Sequence, residues 1–273
     1  MEARAFRKII LDNYRERGRD FPWRKEISPW GVLVSEFMLQ QTQTGRVVSY
    51  WERWMKRWPG PGDLAAAPLD LVLREWSGLG YNRRAKKLWE CAGVIEARHG
   101  GEVPRTPELL ITLPGIGPYT SGAVACFAWN YPAVFIETNI RSTLLHFFFQ
   151  DREGVKDDEL FPLLRQVLDA ENPRIWYWAL MDYGAELKKL TANPGRKSAH
   201  YTRQSRFEGS FRQIRGQIVK NLAGQGGRSP EALRAAVAAE LPEMKEGDFY
   251  RALAVLEKEM MVAEDGGLYR IKS

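Results

Sequence analysis

The sequence is poor in residues that cross-link small domains or bind metal ions. Its two cysteines, Cys91 and Cys126, lie in separate apolar segments without metal-ligand spacing, and its three histidines are equally dispersed. Disulfide frameworks and metal sites need such residues in pairs or clusters. We therefore expect two buried free thiols and no metal site.

The sequence also lacks an apolar run of about 18 residues, the length that a membrane-spanning helix needs. Its first residues, Met1-Glu2-Ala3-Arg4, begin an amphipathic segment and not a secretory signal. We expect an intracellular protein, cytoplasmic and associated with the nucleoid, that has no membrane partner.

The composition is that of a globular protein with an excess of basic residues. The 273 residues are 44% hydrophobic, and the formal net charge is +6. A chain of this length can bury a full core and is expected to divide into more than one compact unit. The charge favours a polyanionic partner, of which nucleic acid is one candidate.

A glycine turn, Leu113-Pro114-Gly115-Ile116-Gly117, precedes a helix predicted to begin near Tyr119. Glycines let backbone N–H groups approach a ligand without a Cβ in the way, and the N-terminus of a helix adds positive charge. The turn therefore predicts an anion site. In a basic protein we expect this anion to be a backbone phosphate.

Two carboxylates stand within apolar segments. Glu36 lies in the predicted helix VLVSEFMLQQT, which is apolar on nearly every side, and Glu137 lies in IETN after an apolar stretch. A buried carboxyl group without a partner has a raised pKa and can act as a general acid. The alternatives are structural, because either residue could cap a helix, and Glu137 stands just before one.

Apolar periodicity predicts helices through residues 1–187, among them 2–18, 46–58, 141–149, 157–169 and 173–187, whereas Phe21–Arg24 is predicted to be extended. Residues 188–206 are a basic connector. Residues 207–273 are predicted to form a separate module of three helices and a hairpin that turns at Asp265-Gly266-Gly267. The expected fold class is all-α, with a small winged-helix-like α+β module at the C-terminus. A helical cap packed on the main domain is the alternative for that module.

Four segments, taken in this order, resemble the helix-hairpin-helix DNA glycosylase superfamily, and most of all the adenine-specific mismatch glycosylase (MutY) family. They are VSEFMLQQT, GLGYNRRAKKL, LPGIGPYTSGA and IETNIR, and the similarity covers about residues 5–190. The resemblance implies a two-lobed helical enzyme that flips one nucleotide out of double-stranded DNA and hydrolyses its N-glycosidic bond. We expect it to act as a monomer.

The resemblance also implies roles for individual residues. Glu36 falls on the general acid that protonates the departing purine. Glu137 falls on the carboxylate, usually an aspartate, that stabilises the developing sugar cation and helps to position water. Gln41 and Tyr81 are similar to the residues that wedge into the base stack, although Gln41 could be a solvated helix end and Tyr81 a cover over the core.

The remaining expected site residues fall into two groups. The base pocket is expected to comprise Trp23, Arg24, Trp30, Tyr119 and Asn139, the last as the polar neighbour of Glu137. The DNA-binding residues are expected to be Gln41, Tyr81, Leu113, Gly115, Gly117, Lys197 and Arg203.

Three departures from the family pattern modify these expectations. Tyr119 stands where strand-cutting relatives have a nucleophilic lysine, so we expect hydrolysis without an efficient lyase step. No cysteine follows the segment Met181–Ala185, where the family commonly has four, so we expect no [4Fe–4S] cluster and no other cofactor. The family's usual domain that inspects 8-oxoguanine has no counterpart in residues 207–273.

The sequence therefore predicts a monofunctional DNA glycosylase of base excision repair that removes adenine opposite guanine or 8-oxoguanine. Uracil or thymine is the alternative substrate, because these bases leave as anions and Tyr119 resembles a tyrosine of some thymine-mismatch glycosylases. A non-catalytic DNA-binding protein is the alternative from another class. The presence of both carboxylates argues against it.

Overall fold

The structure is a computed structural model that describes residues 1–202 and 206–272. The described residues form fifteen α-helices, one 3₁₀ turn (Pro194–Lys197) and a two-stranded sheet, which confirms the predicted fold class. The helices are α1 (Ala3–Arg17), α2 (Pro22–Lys25), α3 (Pro29–Leu39), α4 (Thr44–Arg57), α5 (Pro61–Ala65), α6 (Leu69–Trp76), α7 (Arg83–His99), α8 (Pro107–Leu110), α9 (Pro118–Trp129), α10 (Thr138–Phe148), α11 (Asp157–Val167), α12 (Pro173–Leu190), α13 (Phe211–Leu222), α14 (Pro230–Glu240) and α15 (Glu246–Lys258), and the strands are β1 (Val262–Asp265) and β2 (Leu268–Ile271). Among the described residues, no helix is both long enough and apolar enough to cross a membrane.

The chain divides into two compact units that do not follow the order of the sequence. Unit 1 takes Met1–Leu33, Pro104–Thr112 and residues 116–202, and unit 2 takes Val34–Val103, Leu113–Gly115 and residues 206–272. The division into a core of residues 1–187, a connector of residues 188–206 and a module of residues 207–273 stays a prediction.

Unit 1 is held together by aromatic packing and by one close helix crossing. The ring of Phe6 on α1 lies edge-on against Phe147, Phe148 and Trp176, with ring centroids 5.0 to 5.7 Å apart. Where α12 crosses α10, a Cβ at Gly184 would stand only 2.1 Å from the carbonyl oxygen of Asn139. Glycine at this position lets the two helices approach each other.

Unit 2 has a tryptophan core and includes the C-terminal module. Trp54 packs edge-on against Trp58 and Trp76, with ring centroids 4.7 and 5.2 Å apart. In the module, the hydroxyl groups of Ser210 and Ser229 cap α13 and α14. These two serines explain where α13 and α14 begin.

Hydrogen bonds tie the module to α6 and α7 within unit 2. The side chain of Lys86 donates to the carbonyl oxygen of Glu259 at 3.0 Å, and the backbone N–H of Gly224 donates to Asp70 at 2.6 Å. Strands β1 and β2 pair antiparallel, from Val262 with Ile271 to Asp265 with Leu268. The order of three helices and a hairpin is that of the predicted winged-helix-like module.

Several element boundaries differ from the sequence-based expectation. Phe21–Arg24 is not an extended turn, because Pro22 starts the short helix α2. Helix α10 begins at Thr138 and not at residue 141, because Glu137 caps it. Helix α12 continues to Leu190, so the first residues of the predicted connector are helical.

Gly184→Ala should destabilise the protein by roughly 2 kcal/mol, because the added methyl group would force α12 away from α10. The matched control is Gly216→Ala on α13, where a Cβ meets nothing within 4 Å. That change should stabilise the helix by about 0.5–1 kcal/mol. Urea denaturation measures both effects, and equal changes in the free energy of unfolding would contradict the proposed packing.

Candidate active site and DNA-binding turns

Glu36 lies within α3 and is buried, as predicted, with an exposed fraction of 4%. Most of its neighbours on the helix are apolar and buried, since Leu33, Phe37 and Met38 are each at most 1% exposed. A carboxyl group in such surroundings is expensive to bury and is a candidate for chemistry.

Glu137 is the N-cap of α10. Its Oε1 accepts hydrogen bonds from the backbone N–H groups of Asn139 at 2.7 Å and Ile140 at 2.8 Å, and its Oε2 accepts one from Nδ2 of Asn139 at 3.3 Å. Glu137 therefore caps α10, as the structural alternative expected. It leaves a catalytic role open, because fixed donors also orient a carboxylate for chemistry.

Lys188, on the last turn of α12, completes this arrangement. Its Nζ donates to Oδ1 of Asn139 at 2.8 Å, so the amide of Asn139 connects Lys188 with Glu137. Burial raises the pKa of Glu137, against the lowering effects of its two backbone hydrogen bonds and of the charges on Lys188 and Arg141. Burial lowers the pKa of Lys188, and the charge on Glu137 opposes that shift. The result is a half-buried carboxyl group with a pKa above its ordinary value.

Trp23 and Arg24, expected in the base pocket, lie on α2. Trp23 is buried, and its ring stacks on Phe21 with centroids 5.1 Å apart. Arg24 makes two hydrogen bonds to the carboxylate of Asp182, at 2.8 and 2.9 Å. Burial opposes ionisation of Asp182, but the hydrogen bonds and charges of Arg24 and Arg19 outweigh it and hold the pKa of Asp182 below its usual value. Arg24 thus joins α2 to α12, and its contact with a base stays a prediction.

The other two aromatic pocket candidates lie on different helices of unit 1. Trp30 is 5% exposed near the start of α3. Tyr119 is half-buried on the first turn of α9, and its ring meets Phe135 edge-on with centroids 5.7 Å apart. Their contacts with a flipped base stay predictions.

The glycine turn requires glycine at one of its two positions. Gly115 has φ +80°, and a Cβ there would stand 2.7 Å from Cβ of Lys87 and 2.9 Å from the ring of Phe37. Gly117 has an ordinary φ of −101° and precedes α9 as its N-cap, with open space where a Cβ would be. Leu113 is 3% exposed and anchors the turn. The predicted phosphate contact is not tested by this geometry.

Gln41 and Tyr81, the predicted wedge residues, both have left-handed backbone conformations. Their φ angles are +56° and +50°, which are uncommon for residues other than glycine. Gln41 is exposed, whereas Tyr81 is half-buried and its hydroxyl oxygen accepts a hydrogen bond from Arg212 of α13. Such conformations cluster at functional sites, where the surrounding structure maintains them.

Sequence reasoning missed Arg84 and Lys188. Arg84 is one of several basic residues that follow Tyr81 in the sequence, yet it is 8% exposed and lies on the buried face of α7 with Leu88 and Ile95. The spacing of Arg84, Leu88 and Ile95 along the helix could have identified Arg84 as a buried residue. Lys188 gave no such signal, because its partner Asn139 is 49 residues away in the chain.

Lys197 and Arg203 are the two connector residues that are predicted to contact DNA. Lys197 ends the 3₁₀ turn, and its ammonium group donates to the carbonyl oxygen of Gln150. Arg203 lies outside the described residues. Contacts of Lys197 and Arg203 with DNA stay predictions.

The residues present do not fit a [4Fe–4S] cluster. Such a cluster needs four ligands, normally cysteine thiolates, whereas Cys91 and Cys126 are both buried free thiols on separate helices. Burial raises the pKa of Cys91 to about 12, which disfavours the thiolate that a metal binds. Within residues 1–202 and 206–272, no group of three or more His, Cys, Asp or Glu side chains is arranged to hold a metal ion.

Comparison with known proteins identifies the family. Residues 34–271 match the HhH-GPD superfamily base excision DNA repair proteins. The chain belongs to this superfamily. It is 37% identical to the adenine DNA glycosylase of Mycolicibacterium smegmatis over 232 residues, which cover 78% of each chain. It is 52% identical to the adenine DNA glycosylase of Mycobacterium tuberculosis over 133 residues, which cover 48% of this chain and 44% of that protein.

A solved structure shares the fold of this HhH-GPD protein. A thermostable thymine-DNA glycosylase superposes with a TM-score of 0.62 and 27% identity, and the match covers 67% of this chain and 86% of that one. With the M. tuberculosis protein, the aligned segment spans less than half of the relative's length. The helical expectation and the family resemblance are both confirmed.

Lys188→Met should raise the pKa of Glu137 further. The ammonium group favours the ionised carboxylate, so its removal leaves burial less opposed. The matched control is Lys189→Met, since Lys189 is exposed and is the next residue in the chain. A ¹³C NMR titration of the glutamate carboxyl groups measures the pKa. An unchanged pKa of Glu137 in Lys188→Met would show that the charge on Lys188 does not act on this group.

Proposed function

We propose that this HhH-GPD protein is a monofunctional DNA glycosylase of base excision repair, and that it removes adenine mispaired with guanine or 8-oxoguanine. The observation that carries the proposal is a pair of carboxyl groups, of which Glu36 is buried in α3 and Glu137 is half-buried and fixed by hydrogen bonds at the start of α10. The relatives named adenine DNA glycosylase favour adenine as the base.

The two carboxyl groups match what the reaction needs. The departing base needs a proton, and the sugar, which develops positive charge, needs a nearby negative charge and an oriented water molecule. We assign the proton to Glu36, because it is a buried carboxyl group and because it falls on the family's general acid in the resemblance. Glu137 is assigned to the sugar, because its fixed hydrogen bonds hold the carboxylate in one orientation.

Before the bond breaks, the base must leave the stack, at a cost of a few kcal/mol. We assign the wedge to Gln41 and Tyr81, and the phosphate contact to the turn at Gly115. The glycine turn and the net charge of +6 support double-stranded DNA as the partner. We propose that one protein molecule acts on each lesion.

The second residue of α9 is Tyr119, whose side chain is not an amine. An amine is what a lyase uses to form a covalent intermediate with the sugar. We therefore propose hydrolysis alone, by residues of this chain and without an iron–sulfur cluster.

Thymine or uracil is the second candidate base. Tyr119 and the likeness to a thymine-DNA glycosylase support it. These bases leave as anions, so they depend less on a proton from Glu36. The two candidates therefore differ in how strongly Glu36 should matter.

The test of substrate is an alkali-induced nicking assay on duplexes that carry A·G, A·8-oxoG, G·U or G·T. The proposal expects nicks at adenine and none before alkali. Nicks at uracil or thymine would instead support the second candidate base. Binding without nicks on every duplex would indicate a non-catalytic DNA-binding protein.

Glu36→Gln and Glu137→Gln should each reduce the single-turnover rate of base excision by about a hundredfold or more while duplex affinity is retained. Glutamine keeps a carbonyl oxygen that can cap α10, so the fold is preserved. The matched control is Glu186→Gln, which removes a surface ion pair with Arg17 and should leave the rate unchanged. If both site variants keep the wild-type rate, the assigned roles are wrong.

A further inference from the structure

Arg84 is a buried cation that pairs with no carboxylate among the described residues. Its side chain lies in unit 2, 8% exposed, and its hydrogen bonds go to backbone carbonyl oxygens and one hydroxyl group. Burial lowers its pKa to about 10, so it remains protonated at neutral pH. Carbonyl oxygens and the hydroxyl group of Thr42 accept hydrogen bonds from both Nη nitrogens, whereas the buried Nε has no hydrogen-bond partner among the described residues.

The hydrogen bonds of Arg84 converge from two segments of the chain. Nη1 donates to the carbonyl oxygens at the end of α3, and Nη2 donates to the loop before α7 and to Thr42. The distances are 2.9 Å to Phe37, 2.8 Å to Met38 and 2.6 Å to Gln40 for Nη1, and 2.9 Å to Gly80, 3.3 Å to Leu79 and 3.0 Å to Thr42 for Nη2. The side chain of Arg84 therefore bridges the two segments.

Each Nη nitrogen makes its shortest carbonyl contact with the residue directly before a predicted wedge residue. Gln40 immediately precedes Gln41, and Gly80 immediately precedes Tyr81. Both wedge residues have positive φ angles that cost free energy in a free loop. A guanidinium group that holds the preceding peptide groups maintains both conformations at once.

The ring of Tyr81 is held by the same cation. The guanidinium carbon of Arg84 lies 5.5 Å from the centre of this ring, and that of Arg212 lies at the same distance. Arginine is suited to this place, since its planar fork donates in several directions and stacks on aromatic rings. Lysine carries its charge on a compact ammonium group without this planar fork.

We propose that Arg84 is a positioning residue that fixes the backbone of Gln41 and of Tyr81, so that both side chains enter the base stack as one rigid wedge. This inference rests on the proposed function, in which these two residues extrude the base. In this role Arg84 acts through Gln41 and Tyr81 and not by contact with the base or the sugar. Its effect therefore falls on extrusion and not on breaking the bond.

The test compares Arg84→Lys with the wild-type protein in two measurements. The first is the fluorescence increase when 2-aminopurine, placed opposite guanine, leaves the stack on protein binding. The second is the single-turnover rate of adenine excision at an A·G mismatch. It is measured in a duplex whose flanking bases are paired and in a bubble whose flanking bases are unpaired. We expect a smaller fluorescence increase and a rate about tenfold lower on the duplex, with a much smaller loss on the bubble.

The matched control is Arg174→Lys, because Arg174 on α12 also donates to a backbone carbonyl oxygen, that of Ala128 at 2.9 Å, and belongs to unit 1. It should leave the duplex-to-bubble ratio unchanged. If Arg84→Lys does not fold, Thr42→Val serves instead, since it removes the hydroxyl contact with Nη2 together with the longer contacts of that hydroxyl group to the carbonyl oxygens of Gln40 and Leu79. Its loss should be smaller and again concentrated on the duplex.

Equal losses on duplex and bubble, or no loss on either, would overturn the role of Arg84. Failure of the proposed function has a different signature, because the wild-type protein would then excise no base from any duplex. The fluorescence measurement still decides the inference in that case, since extrusion requires no bond cleavage. A wild-type fluorescence increase that Arg84→Lys does not reduce would contradict it.

Discussion

The hydrogen bonds that Glu137 accepts at the first turn of α10 are the interaction on which the candidate site in unit 1 depends. They oppose the rise in pKa that burial causes, and they fix the orientation of the carboxyl group. Asn139 then connects that carboxylate with Lys188, and Gly184 lets α12 come close enough for the connection to form. Capping the helix and orienting the carboxylate that we propose acts on the sugar are thus one arrangement.

Unit 2 contains the opposite case, which is the buried positive charge of Arg84. Among the described residues, peptide carbonyl groups and not a carboxylate hold this cation, and they belong to the end of α3 and to the loop before α7. Carbonyl groups from two segments let a single side chain organise both loops that carry the predicted wedge residues.

Sequence reasoning reached the features that depend on local pattern. The apolar surroundings of Glu36, the helix start after Gly117 and the C-terminal hairpin all follow from residue periodicity and turn chemistry. It missed what depends on tertiary contacts, such as the left-handed conformations of Gln41 and Tyr81 and the link from Lys188 to Asn139. The pairing of Arg24 with Asp182 was equally hidden, because 158 residues separate them.

The central claim is that Glu36 and Glu137 act on the same extruded nucleotide. The most direct test is a crystal structure of the protein bound to a duplex with an uncleavable adenosine analogue opposite guanine. We predict that the adenine is out of the stack, with the carboxyl group of Glu36 within about 3 Å of a ring nitrogen and the carboxylate of Glu137 beside the sugar. An adenine that stays stacked, or either carboxyl group turned away from the nucleotide, would contradict the claim.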